Sequence, residues 1–273
     1  MSEGTRPPQA VLVRSPEKFS ATAVAAVLGR RAGAPALDFV GPARRAWGIA
    51  AASLPAADGE SLAAALTEAG QTALAVPASL LEDPAAPILV GKAELSGDGF
   101  DVVSGRENAA PERLSWGKLA AVCAAAVEVR TSATVTEGGG PQEAAERAVR
   151  IGLTMVTGLP LMKKKTETKR VVETKDRALS VDLVFLEPSR RVRIDARAFD
   201  FSVLGAKMAY AAEANFLVLL EELTARAPAA LRGKGTRALL ARRPAADSLY
   251  ESYDDLEREE RWLLTLAALR AAL

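Results

Sequence analysis

The chain has 273 residues, with 35 Lys and Arg against 34 Asp and Glu, one cysteine and no histidine. Without histidine, Ser-His-Asp and Cys-His hydrolases, histidine-ligated zinc and haem centres, and facial-triad iron sites are excluded. A formal net charge of +1 leaves no global field to draw in nucleic acid or membranes, and the lone Cys123 cannot form an intramolecular disulfide, in keeping with a cytoplasmic chain.

Residues 1–9 read as a mobile tail without the charged start and apolar run of a secretory signal. Ala10–Arg14 is a short apolar strand. Ser15 then caps a helix with Pro16 at its first position, whose buried stripe is Phe19, Val24, Val27 and Leu28 and which ends across Gly29–Gly33. Leu37–Val40 and Gly48–Leu54 read as strands, Gly59–Ala69 as a helix closed by Gly70, and Thr72–Val76 as a further strand. The order β-α-β-β-α-β predicts a ferredoxin-like N-terminal domain over residues 1–86. That layout says nothing about activity.

Residues 87–273 predict a second domain, an antiparallel sheet with packing helices, so the whole chain is α+β. Ile88–Leu95 and Phe100–Val103 alternate like a hairpin around Ser96-Gly97-Asp98-Gly99. The alanine-rich run Leu114–Val129 is read as a helix in preference to a strand. Flexible segments are expected near 131–141, which holds three consecutive glycines, and near 163–176, with a helix restarting at Gln142–Val149 between them. Ile151–Met162 is the nearest approach to a membrane span and is too short for one. The basic run Met162–Arg170 reads as a solubilising loop.

The last third is more sharply patterned. Leu179–Leu186 and Arg191–Phe199 read as strands around Glu187-Pro188-Ser189-Arg190, followed by a long helix capped by Asp200 or Ser202 and reaching Arg226. Val181, Leu183 and Phe185 share one face, as do Val192, Ile194, Ala196 and Ala198 of the next strand. A tight turn at Pro188-Ser189 makes Asp182 oppose Asp195, with Arg193 and Arg197 flanking on the same face. A shift of two residues pairs Asp182 with Arg193 or Arg197 instead. Asp182 and Asp195 are therefore the candidate acid/base pair, or a seat for a hard cation, and a solvated face neutralised by arginines is the preferred alternative.

From Arg226 to Arg243 there are six cations and no acid. Arg232, Lys234, Arg237, Arg242 and Arg243, with Arg193 and Arg197, are candidate anion-binding residues, and Arg232-Gly233-Lys234-Gly235-Thr236 has the makings of a backbone nest. The acidic run Asp247–Glu260 follows directly, so mutual neutralisation is preferred over nucleic-acid binding, which also lacks a stacking aromatic. Ser252–Leu273 is a terminal helix with the stripe Trp262, Leu266, Leu269 and Leu273, expected to pack on its own domain, with an interface for a protein partner or a second copy as the alternative.

These readings point to a non-catalytic cytoplasmic binding, regulatory or scaffold protein acting through protein contacts, with no cofactor and no metal. The alternative is an enzyme or binder of an anionic or phosphorylated small molecule through Asp182, Asp195 and nearby arginines. A nucleic-acid binder through Arg232–Arg243 is the weaker third reading.

Overall fold

Strand β1 (Gln9–Val13) is buried at four of its five residues and lies at the centre of a three-stranded antiparallel sheet ordered β2-β1-β3, with β2 at Ile49–Leu54 and β3 at Ala73–Pro77. The computed structural model describes residues 6–102, 112–137 and 168–272. The expected tail therefore lies outside the described residues for its first five positions. So do the glycines 138–140, the helix at Gln142–Val149, the apolar run Ile151–Met162, the basic residues to Glu167, and Leu273.

After a single 3-10 turn at Pro16–Lys18, helix α1 (Ala21–Ala32) starts at Ser20, whose hydroxyl accepts from the Ala23 amide at 3.3 Å. It ends at Gly33, which adopts the left-handed φ of 63° that glycine tolerates. Leu37–Val40, expected as a strand, lies inside helix α2 (Ala36–Ala46). Phe39, Val40 and Ala43 follow helical spacing into the core while Leu37 faces solvent, so four consecutive residues were too few to fix the period. With helix α3 (Ala56–Glu68), the N-terminal order is β-α-α-β-α-β around three strands, not the four of a ferredoxin-like sheet.

The expected hairpin forms around Ser96–Gly99, but the first residues expected in its leading strand belong to another sheet. Strand β4 (Pro87–Leu89) joins a six-stranded sheet, while β5 (Ala93–Leu95), β6 (Gly99–Val102) and β7 (Glu112–Ser115) form a separate antiparallel one. The alanine-rich run, expected as a helix, is strand β8 (Leu119–Glu137). Ala121, Cys123, Ala125 and Val127 enter one core and Val122 and Ala124 another. A strand buried on both faces shows no polar alternation, which hides it in a sequence. Strand β9 (Thr168–Phe185) likewise takes in part of the segment expected to be a loop, where Val171, Val172 and Thr174 suit a strand.

Beyond strand β10 (Arg190–Asp195), the long helix is broken. A 3-10 segment, Phe201–Lys207, with Gly205 at φ 52°, precedes helix α4 (Ala212–Arg226). Asn215 holds the break: its side-chain oxygen accepts from the Ala209 amide and its Nδ2 donates to the Ala209 carbonyl. Strand β11 (Leu231–Arg232), helix α5 (Lys234–Leu240), strand β12 (Leu249–Tyr250) and helix α6 (Tyr253–Ala271) complete the chain. The six-stranded sheet runs β11-β8-β9-β10-β4, with β12 also on β8. Chain contacts define two compact units, residues 1–128 with 177–273, and residues 129–176.

Helix α6 joins the two larger sheets. Trp262, Leu263, Leu264 and Leu266 are buried with β1 and α1, and the Trp262 indole donates to the Val13 carbonyl at 2.8 Å. Gly48 permits that approach, since a Cβ there would lie 1.9 Å from the Trp262 ring. Of the stripe, Trp262 and Leu266 are buried and Leu269 is half-buried against the N-terminal core, while Leu273 lies outside the described residues.

Candidate functional site

The face of the six-stranded sheet turned to α6 carries buried charged side chains on β9 and β10. Along β9 and β10, Val181, Leu183, Phe185, Val192 and Ile194 enter the core under α4. The alternate residues Asp182, Arg191 and Arg193 point the other way, and all three are buried. The β9–β10 connection spans four residues, Leu186–Ser189, so Arg190 pairs with Phe185 and Arg193 with Asp182. Asp182 does not oppose Asp195, which sits across from Ser180; the tight two-residue turn behind that expectation does not form.

Asp182 and Arg193 form a two-pronged ion pair, Nε to Oδ1 at 2.7 Å and Nη2 to Oδ2 at 2.6 Å. The Tyr253 ring covers the Arg193 guanidinium at 4.0 Å. Arg191 reaches two acids of α6, Glu260 at 2.7 Å and Glu257 at 3.0 Å. Glu260 is fully buried, and burial, together with the charge and hydrogen bond of Asp182, pushes its carboxyl well above the usual carboxylate range. Its Oε1 finds no donor among the described residues. Arg191 also lies 4.0 Å from Asp182, so the two guanidinium groups are shared among Asp182, Glu257 and Glu260.

A second buried acid lies one residue earlier. Glu259 accepts from the Lys234 amide at 2.6 Å and from the Tyr250 hydroxyl at 2.5 Å. Burial raises its carboxyl above the ordinary value, opposed by those bonds and by Arg237 and Lys234. The glycine-containing segment Arg232–Thr236 therefore meets a carboxyl group supplied by the chain itself. Gly233 and Gly235 leave the space: a Cβ at 235 would lie 2.1 Å from the Ala124 carbonyl oxygen. Burial, Glu260, Glu259 and Asp182 push the Cys123 thiol well up, so it is not an activated nucleophile.

The remaining candidates are dispersed. Asp195 is part-exposed and accepts from the Arg197 amide at 2.8 Å, with the exposed Arg197 guanidinium at 3.6 Å. Arg232 is exposed, and its carbonyl accepts from the Arg237 side chain. Arg237 also donates to the Pro16 carbonyl, and Arg242 pairs with Glu221 at 2.7 Å. Lys234 lies over the Tyr250 ring at 5.9 Å, and Arg243 is exposed.

Among the described residues, no group of three His, Cys, Asp or Glu side chains is placed to hold a metal ion. The sequence reading missed Glu259 and Glu260 as core residues. Their signal was positional: Leu256, Glu259, Glu260 and Leu263 lie at i, i+3, i+4 and i+7, which sets both acids on the apolar stripe of α6.

The fold and this site define an α+β protein in which buried Arg191 of the sheet bonds Glu257 and Glu260 of the last helix. No known family, curated protein or solved structure matches the chain.

Proposed function

We propose that this is a non-catalytic binding protein that docks an extended segment of another protein on the edge of its six-stranded sheet. The observation that carries the reading is strand β4. It is the outermost strand on one side, paired only to β10 among the described residues, and both its aliphatic residues face solvent: Leu89 is 75% exposed and Ile88 38%. An edge strand offers unpaired backbone groups, and an exposed apolar pair on it adds side-chain affinity. Pro87 opens this short edge strand, which leaves Ile88 and Leu89 as its exposed apolar pair.

The acids support the same choice. Asp182, Glu259 and Glu260 are sealed from solvent and engaged by the protein's own cations and amides, so no substrate reaches them. A cytoplasmic location goes with this reading, on the single cysteine. Among the described residues, no single helix is long and apolar enough to cross a membrane.

Selection from a display library of random linear peptides tests the proposal. The expected winners carry alternating apolar residues, bind with saturation, and lose affinity for Leu89→Asp. Failure to enrich any peptide, or enrichment of peptides that bind Leu89→Asp equally well, would overturn the reading.

A further inference from the structure

The N-terminal sheet and the end of α6 enclose a cleft of about 520 Å³, within the size range of small-molecule sites. Its construction follows from two periodicities. Leu74 and Val76 alternate along β3 and share one face, with Thr72 just before the strand. The opposite face, at Ala75, meets α3 near Gly59. Leu266, Leu269 and Arg270 recur at i, i+3 and i+4 on α6 and meet the first face. Val76 and Leu266 are buried and form the floor, while Leu74 and Leu269 are half-buried walls.

The rim differs from the floor. Arg14 and Arg270 both line the cleft and both are exposed. Neither guanidinium has an ion pair or side-chain hydrogen bond with another described residue, although most other arginines of the body are paired, such as Arg113 with Asp101 and Arg261 with Asp83. Among the described residues, no Asp or Glu lines the cleft. Ser15 and Thr72 add neutral hydroxyls at the same mouth. An apolar trough bordered by two guanidinium groups unmatched among the described residues, with no described Asp or Glu on its lining, selects against cations and against fully polar anions. It complements a molecule with a hydrocarbon body and one anionic end.

We propose that this cleft binds a hydrocarbon carboxylate, its tail lying on Leu74, Val76, Leu266 and Leu269 and its carboxylate held by Arg14 and Arg270. The site shares no residue with the edge of β4, so it stands or falls apart from the peptide-docking reading.

Calorimetric titration of the intact protein with decanoate, below its micelle-forming concentration, tests the proposal. Methyl NMR spectra recorded in parallel report the location. The expected result is saturable one-to-one binding, with shifts confined to the methyls of Leu74, Val76, Leu266 and Leu269. Arg14→Gln/Arg270→Gln should weaken it about tenfold or more, because two charge-assisted contacts are lost. Both positions are exposed and unpaired, so that variant should keep the fold. Leu74→Trp, which fills the trough, should abolish binding. Decyltrimethylammonium, with the same tail and the opposite charge, should show no saturable binding. The proposal is overturned by the absence of saturable decanoate binding, by equal affinity in the double arginine variant, by equal binding of the cationic amphiphile, or by methyl shifts elsewhere.

Discussion

The two faces of the β9–β10 hairpin solve the same packing problem with opposite chemistry. Under α4 lie Val181, Leu183, Phe185, Val192 and Ile194, held by contact and exclusion of water. Under α6 lie Asp182, Arg191 and Arg193, facing Glu260 and, at the margin, Glu257. An apolar face tolerates small slides, since any neighbouring methyl group serves as a partner. The charged face does not: each guanidinium must meet its carboxylate, and each misplacement strands a charge in a poorly polarisable interior. On this face the charged contacts to α6 run through Arg191, bonded to Glu257 and Glu260, while the Trp262 indole of the same helix bonds the N-terminal sheet at Val13.

The largest contrast should come from removing one member of the buried pair. Arg193→Met keeps the aliphatic stem but leaves Asp182 without its main counter-charge, and a loss of about 3–5 kcal/mol is expected in a denaturant titration. The double variant Asp182→Leu/Arg193→Met should recover much of that loss, because no charge is left unpaired. If the single variant is as stable as the parent, the charged face is ornamental and the comparison fails. On the opposite face, Leu183→Ala should cost about 2–5 kcal/mol through lost burial and an unfilled cavity, with no partner substitution able to restore it except one that refills the space. Rescue on one face and none on the other is the sharper test.

A smaller effect separates the faces by pH. The carboxyl of Glu260 titrates near 4.5 in the unfolded chain and well above that in the folded one. Between those values the folded protein holds the extra proton, so this group's contribution is fully present below 4.5 and is lost as pH rises through the folded value. Glu259 acts in the same direction. Asp101 and Glu222 are shifted the opposite way by Arg113 and Lys207, and their contributions are lost as pH falls through their lowered folded values. Glu260→Gln should flatten the decline above 4.5, since the carboxamide copies the neutral acid toward both Arg191 and Asp182. A slope unchanged by this substitution would show that Glu260 is ionised in the folded protein.

Much of this was legible in the sequence, and the omissions have physical causes. The apolar alternation of Val181, Leu183 and Phe185 correctly placed Asp182 and Arg193 on one face, but alternation is blind to a shift of two residues. The four-residue connection Leu186–Ser189 supplied that shift. The length and cap of α6 were readable from Ser252 and its acidic first turn. Its buried acids were not, because Glu259 and Glu260 were read with the solvated run around them and not with the stripe they occupy. Strand β8 was hidden by alanine, which favours helices intrinsically and takes either state when both faces are covered. The cleft at Arg14 and Arg270 joins residues from opposite ends of the chain, and no local pattern announces such a meeting.

The smallest expected effect concerns the aspartate that the sequence placed opposite Asp182. Asp195 ends β10 on the same side of the sheet, yet its side chain is 30% exposed, and its partners are the amide and the exposed guanidinium of Arg197. Water screens that ion pair, and the backbone bond needs only an acceptor, which asparagine keeps. Asp195→Asn should therefore cost less than about 1 kcal/mol. The same substitution at Asp182 removes the negative charge that balances Arg193 and replaces one of two accepting oxygens with a donor facing a guanidinium. Measured side by side, the two Asp→Asn variants differ in neither chemistry nor size, so the gap between their unfolding midpoints reads the difference in burial and pairing directly. Equal midpoints would mean that water reaches Asp182 as freely as Asp195, and the sealed charge layer would have to be abandoned along with the argument that no substrate reaches its acids.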